Sequence, residues 1–584
     1  MNQTEAVSTP IDLADLAGPP APEPSQLDAL LERLRGRKTA FARLSPVKKA
    51  DLLREVRQRF FELSREMVEL GNRAKRVPEG SSAAGEEWFS GPAISLRALR
   101  LFEASLRDIA SRGKPFLSEQ QRGVNTDGRT FVTLAPRDGY DAVLFRGWRA
   151  EAWLEGGVQP HQIWQNQASF YTQAAPEGHV VLVLGAGNVG SISVLDVLYH
   201  SFVEGGVCLL KMSPVNAYLT PFYDRAFAPL IELGYLGITT GGGEVGSYLV
   251  QHPAVDVIHV TGSVETHDRI VWGVGGEAVQ RRRDNQPATR KRVTSELGNV
   301  SPVLIVPARY NDADLSAAVR SVAGMFVHNA SFNCNAAKLL VLARSWPQRD
   351  EFMRRLAAVL RDTPAREAYY PGARERFERL LADAGDARVE RYGGRNDVSL
   401  PWTLVRELDP SKENTLFRNE PFCSILSEVS LPCADPVEFL EQAVPFTNDR
   451  VWGTLNAMLI APASVEQDPT LARALQRAIR ELRYGTVSVN VWPAVGYGLG
   501  APPWGGYPGA TLADVQSGLG WGHNALLLER VEKVVLRGPL RLMPAPFWEP
   551  GNPHLAQLGA ALARMEAAPS VSGVMRAAWA AIRP

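Results

Sequence analysis

The stretch HVVLVLGAGNVGSISVLDVL, His179 to Leu198, decides how the rest of the chain reads. VVLVL is an unbroken apolar run of strand length, as a fully buried strand requires. GAGNVG is a glycine turn, and ISVLDVL has the apolar spacing of a helix. Gly185, Gly187 and Gly190 match the G-x-G-x-x-G spacing with which a strand–turn–helix unit can cradle a dinucleotide pyrophosphate. That mechanism also needs an acid at the end of the next strand, to hold ribose hydroxyls. The next strand, VCLLK, ends in Lys211, and Glu204 precedes it in the connecting turn. The glycine spacing therefore argues for an α/β unit more firmly than for a standard dinucleotide site.

Working outward, strand and helix patterns alternate. After VCLLKM come the helical run PFYDRAFAPLIEL, the strands LGITTG and DVIHVTG, and a further helix. Such alternation predicts a parallel sheet covered by helices. A second α/β segment follows SELGNVSPVLIV and runs to about Val489, and RVEKVVLRG is a late strand. Upstream, residues 26 to about 75 carry helical periodicity broken near Ser45-Pro46, with a third helix over 93–111. Between Gly128 and Glu177, short strand-like runs such as TFVTLAP mix with Trp148, Trp153 and Trp164 and take no definite place. Residues 1–25, rich in Pro and Ala, read as disordered. The Ala-rich end reads as a docked or loosely ordered helix, because its face lacks the bulky residues of a membrane-lying one.

With 584 residues the chain is too long for one core, and two or three domains are expected. The 63 basic residues balance 63 acidic ones, so no nucleic acid or anionic membrane is indicated as partner. Cys208, Cys334, Cys423 and Cys433 form no C-x-x-C pair and no zinc spacing, so no metal site is expected. So few cysteines suit a reducing compartment. The N-terminus has no basic start or apolar core of a signal peptide, and no stretch of roughly 18 apolar residues marks a membrane span. The expectation is a cytoplasmic protein.

Chemistry concentrates in a few places. Asn188, inside the glycine turn, offers an amide donor suited to an oxyanion, although an asparagine alone fits a turn just as well. Gly262 and Ser263 make a turn between a strand and a helix, where free N–H groups and the helix dipole favour an anion. Glu296 ends a short strand in TSELGNVSP, Cys334 precedes an Ala-rich helix start in NASFNCNAAK, and Glu420 and Phe422 lie in NEPFCSIL. A cysteine by itself is more often a small buried hydrophobe, the reading kept for Cys208, Cys423 and Cys433.

Taken together these segments resemble the aldehyde dehydrogenase superfamily, of which the chain looks like a divergent member. SELGNVSP resembles E-L-G-G-x-S-P and NASFNCNAA the nucleophile segment N-x-G-Q-x-C. RNEPFCSIL resembles E-E-x-F-G-P-V, and FTNDRVWGTL resembles A-N-x-x-x-Y-G-L. VNVWPAVGYGLGAPPWGGYPG with QSGLG resembles V-N…P-F-G-G…S-G-x-G. They occur in the family's order over roughly residues 175–537. The resemblance implies an α/β fold of two parallel-sheet domains plus a small β oligomerisation element. It divides the chain into N-terminal helices with an NAD(P)-binding domain (26–296), a catalytic domain (297–500), a return to the cofactor domain with the oligomerisation strand (501–540) and a tail (541–584). It implies oxidation of an aldehyde to a carboxylic acid with NAD or NADP, and a homodimer or homotetramer. Cys334 would be nucleophile, Glu296 general base and Asn188 oxyanion donor. Lys211, Gly262, Ser263, Glu420 and Phe422 would bind cofactor. GAGNVG is then the oxyanion loop and its glycine spacing a coincidence.

The sequence departs from the pattern at Ser331 and Phe332, which replace Gly-Gln, at Asn299, which replaces a Gly, at His267 in the cofactor helix, and at Pro214, where NAD-preferring members often carry Glu. The basic insert QRRRDNQPATRKR reads first as a solvated loop. Two alternatives are a CoA-acylating relative, against which Glu296 argues, and a non-catalytic binding scaffold.

Overall fold

The computed structural model describes Leu16 and residues 18–385, 387–393 and 398–582. Two sheets organise it. The smaller has six strands in the order Gly518–Leu519, Arg292–Leu297, Val257–Gly262, Val180–Leu184, Val207–Lys211, Leu236–Thr239. All neighbours are parallel except Gly518–Leu519. Val180–Leu184 and Val207–Lys211 are interior strands, apolar on both faces because helices cover both sides.

The larger sheet has eleven strands, with Pro302–Ile305, Leu339–Ala343 and Ile425–Leu431 at its parallel centre. The late strand Val531–Arg537 pairs parallel with Thr486–Val489 and antiparallel with Arg149–Leu154, all in one chain. So RVEKVVL belongs both to a small antiparallel element and to the large sheet. It joins the hairpin Thr130–Ala135/Arg149–Leu154 to the large sheet, which gives the tryptophan-bearing segment its place.

Pro24–Ala42, Pro46–Ala74 and Ile94–Arg112 are helices. The break between the first two is local chemistry: Ser45 Oγ accepts from Lys48 N and Pro46 occupies the first turn. Leu53, Val56, Phe60, Leu63 and Met67 recur at helical spacing and bury one face. Of the disorder expected for 1–25, residues 1–15 and 17 lie outside the described residues. Gly18–Pro20 departs from it, since Thr240 Oγ1 donates to the carbonyls of Pro19 and Pro20. The C-terminal region forms two helices, Leu555–Ala567 and Val571–Ile582. Glu566 anchors the first of them, through ion pairs with Arg97 and Arg100.

Lys49 is fully buried with no hydrogen-bond acceptor among the described residues; its ammonium lies 4.7, 4.9 and 5.0 Å from the rings of Phe41, Phe170 and Tyr171. Burial pulls it down to about 7. Between about pH 7 and the unfolded lysine value near 10.4 the unfolded chain binds more protons, so stability rises with pH there, and the penalty is fully present below pH 7. Lys49→Met keeps the apolar stem and removes the charge. We expect a higher melting temperature at pH 7 and loss of the stability gain between pH 7 and 10, read by thermal unfolding.

Candidate active site

The GAGNVG turn is shaped by its own neighbours. A Cβ on Gly185 would stand 2.3 Å from Ser193 Oγ, and one on Gly187 2.6 Å from Ser213 Oγ and Val215 Cβ. Packing within the chain thus accounts for these two glycines. The turn delivers Asn188, buried, opposite a second loop. Asn188 Nδ2 donates to Phe332 O at 3.0 Å, while its carbonyl accepts from Lys75 Nζ at 2.9 Å and Asn329 Nδ2 at 3.0 Å. Lys75 is itself ion-paired with Glu87. The N-terminal helices therefore buttress the Asn188 turn from behind.

The second loop carries Cys334. Asn329, Ala330 and Ser331 are consecutive residues in the left-handed region, at φ 53°, 53° and 69°. Each costs about 1–3 kcal/mol and persists only where surroundings impose it. The imposing contacts are Asn329 Nδ2 to Phe332 O and Glu86 Oε2 on Asn329 N. No helix starts after Cys334. The Ala-rich run continues as a turn into the strand Leu339–Ala343, where pairing on both sides outweighs the helix propensity of alanine.

Cys334 Sγ lies 3.7 Å from Glu296 Oε1, which also accepts from Trp504 Nε1 at 2.8 Å. Burial first, then the Asp196 carboxylate, push Glu296 up to about 7, so a proton can come and go near neutral pH. Burial and the Glu296 carboxylate hold the Cys334 thiol well above its ordinary range, with Lys338 opposing. Lys338 donates to Asn299 O and Cys334 O, each at 3.0 Å, and pairs with Glu420. The ordinary signals of sequence did not single out Lys338 or Trp504; Lys338 stands four residues after the cysteine, the one clue available.

Asn188, Gly262, Ser263, Glu296, Cys334, Glu420 and Phe422 line one cavity of about 550 Å³. Phe422 packs against Phe332 and Tyr370 at ring distances of 5.9 and 5.1 Å. Gly262 and Ser263 are exposed at the strand end, and Ser263 Oγ caps the helix Val264–Trp272 by accepting from Thr266 N. Lys211 is not in that wall. It ends the neighbouring strand, nearly buried, and no acceptor among the described residues bonds its ammonium. His267 is turned inward and fully buried beside Asp268, so its ring does not occupy the helix's outer face. Pro214 opens the turn Pro214–Leu219, and Asn299 is buried with its amide on Asn456 O. In the basic insert, Arg281 pairs with Glu277 and Arg282 with Asp268. Cys208, Cys423 and Cys433 are buried.

A family model described as the aldehyde dehydrogenase family matches residues 144–523. Among curated proteins, the chain is 28% identical over 309 residues to an aminoacetaldehyde dehydrogenase of Pseudomonas aeruginosa, covering 50% of this chain and 55% of that one. It is 26% identical over 442 residues to a lactaldehyde dehydrogenase of Escherichia coli, covering 71% and 82%. The chain thus spans little more than half the length of the first of these relatives. Among solved structures it resembles a glyceraldehyde-3-phosphate dehydrogenase of Methanocaldococcus jannaschii complexed with NADP, with TM-score 0.59, 15% identity and coverage of 89% and 95%. A Mycobacterium tuberculosis aldehyde dehydrogenase complexed with NAD+ gives TM-score 0.57, 17% identity and coverage of 90% and 92%. At these identities the structural likeness concerns the fold.

Proposed function

The chain belongs to the aldehyde dehydrogenase family, and from that premise we propose that it oxidises an aldehyde to a carboxylic acid with NAD or NADP, through a thioester on Cys334. The observation that carries this reading is the contact between Cys334 Sγ and Glu296 Oε1, a thiol facing a carboxylate that titrates near 7.

Several residues fit a dinucleotide. Lys211 is a nearly buried residue whose ammonium has no acceptor among the described residues, suited to ribose hydroxyls or a phosphate. The Gly262–Ser263 turn presents N–H groups at the start of a nine-residue helix. Glu420, held by Lys338, would meet the nicotinamide ribose, and Phe422 would pack near the ring. NAD(P), when bound, accepts the hydride released from the aldehyde carbon.

The chain's own residues do the rest. Glu296 takes the thiol proton, and the thiolate attacks the aldehyde carbon. The oxyanion is held by the Cys334 N–H and by Asn188 Nδ2, which must exchange its bond to Phe332 O for the new one. After hydride departure Glu296, again ionised, accepts a proton from water attacking the thioester, and Cys334 sulfur leaves and is reprotonated.

A CoA-acylating reaction would leave Glu296 without this second task, so the same contact favours hydrolysis. We expect NAD(P)H formation over a panel of aliphatic and aromatic aldehydes without coenzyme A, with carboxylic acid as product. Turnover only with coenzyme A would overturn the hydrolytic reading.

No helix among the described residues is long and apolar enough to cross a membrane. A cytoplasmic location and a homodimer or homotetramer belong to the proposal. Because both edges of Val531–Arg537 are already paired within its own chain, such an assembly would not form by strand addition at that strand.

A further inference from the structure

Behind Glu296 lies a buried polar cluster that the proposed reaction does not use. The strands Val257–Gly262 and Arg292–Leu297 run parallel with His259 opposite Thr294 and Thr261 opposite Glu296. Residues paired in register, and residues two apart on one strand, point to the same face. His259, Thr261, Thr294 and Glu296 therefore form one patch. The helix Ser191–Phe202 covers it with Asp196 and His200, one turn apart, and Glu204 follows four residues later.

The contacts are specific. Thr261 Oγ1 donates to Asp196 Oδ2 at 2.9 Å. His259 Nε2 is 3.4 Å from Asp196 Oδ1, and its Nδ1 is 3.0 Å from Thr294 Oγ1. The rings of His200 and His259 are 4.6 Å apart. His200 Nδ1 is 2.8 Å from Glu204 Oε2, and Glu204 is forked by Arg292 at 2.9 and 2.5 Å, with Arg292 half exposed. Asp196, His200 and His259 are themselves buried. Buried charge costs several kcal/mol unless it is paired, and a paired buried charge still biases its neighbours through a low dielectric.

We infer that Asp196 and His259 are positioning residues for Glu296: a buried ion pair, braced to the surface through His200, Glu204 and Arg292, that sets how readily Glu296 holds and releases its proton. This deepens the reading of Glu296 as general base and rests on it. The groups facing Glu296 are Asp196 from the covering helix, His259 from the adjacent strand, Cys334 from the nucleophile loop and Tyr497 from the helix Ala494–Gly498. His523 stands behind Tyr497, ring to ring at 4.4 Å, and burial holds it down to about 4, neutral. His259 faces Asp196, Glu296, Glu204 and His200. Burial works against charge on His259, but Asp196 outweighs it and raises its proton affinity. Burial lowers the proton affinity of His200, with Glu204 opposing. On Glu296, the Asp196 carboxylate favours the proton and the His259 cation disfavours it.

The signs give a test that mere damage cannot mimic. His259→Gln removes the cation and leaves Asp196 unopposed, so the acid limb of the hydrolytic pH profile moves up by at least about half a pH unit, a threefold loss of rate on that limb. Asp196→Asn with His259→Gln removes both charges and returns the limb toward the wild-type position, with KM unchanged throughout. An active His259→Gln enzyme whose limb does not move, or a double variant that fails to restore it, overturns the proposal. If His259→Gln does not fold, histidine-labelled wild-type protein decides by NMR: one buried histidine protonated at pH 7 supports the pair, and all buried histidines neutral at that pH excludes it. Failure of the base reading would show separately, as a wild-type profile with no limb that depends on Glu296.

Discussion

Replacing Cys334 with alanine is expected to reduce NAD(P)H formation to background with every aldehyde, a fall of roughly four orders of magnitude or more. The reason is geometric. Cys334 is the only cysteine that lines the 550 Å³ cavity shared with Asn188, Glu296, Gly262 and Ser263. Cys208, Cys423 and Cys433 are buried free thiols, and burial pushes Cys208 and Cys423 up to about 12, so they are inert. The loss should come without unfolding, because removing one half-buried sulfur costs about 1 kcal/mol. Binding of NAD(P) should survive, since Lys211, Ser263 and Glu420 are untouched. Steady-state turnover and fluorescence titration with the cofactor separate the two effects. Retained turnover would remove Cys334 from the chemistry. Turnover and cofactor binding lost together would make its role structural.

Much of the candidate site is legible in the sequence, for a physical reason. A parallel sheet buries both faces of its interior strands, so VVLVL and VCLLK stand out as apolar runs, and the candidates Asn188, Lys211, Gly262, Ser263 and Glu296 sit at strand ends or in the turns that follow, whereas Cys334, Glu420 and Phe422 lie in loops that lead into strands. The departures were legible as substitutions but not as consequences. Ser331 stands where the family pattern has glycine, and the structure shows the cost, three successive left-handed residues held by Glu86 and Asn329. The Glu86 half of that buttress lies 243 positions away, beyond any local pattern. The same holds for Lys75 on the Asn188 carbonyl, and for Trp504 on Glu296. The hairpin that begins near Thr130 was hard to place because its partner strand, Val531–Arg537, lies almost 400 residues downstream. The stripe Asp196, His200, Glu204 had helical spacing in plain view, yet on a helix such a stripe usually faces solvent. Only the contacts of Asp196 with Thr261 and His259 show that it faces the sheet.

Glu296→Gln should split the reaction in two. Glutamine keeps the size and can still accept from Trp504 Nε1, so the loop geometry survives. It cannot take a proton. The first hydride transfer, which needs only a thiolate supplied at higher pH, should persist as a burst of about one NAD(P)H per site. Thioester hydrolysis, which needs a base on water, should fall by roughly 10²–10⁴. With the carboxyl held up to about 7, wild-type hydrolysis should rise through pH 7 and level off above it, and the variant should lose that limb. Stability supplies an independent check. A carboxyl raised in the folded state binds more protons there than in the unfolded chain between the unfolded value, near 4.3, and pH 7, so stability falls with pH across that window. Above pH 7 the buried carboxylate costs on the order of 3 kcal/mol. Glu296→Gln removes that cost, so the variant should melt higher than wild type at pH 8 and by a smaller margin at pH 5. A variant that hydrolyses at the wild-type rate would strip Glu296 of its role. A variant that loses the burst as well would show that thiolate formation depends on Glu296 even at high pH, and would return the choice between water and coenzyme A to the aldehyde panel.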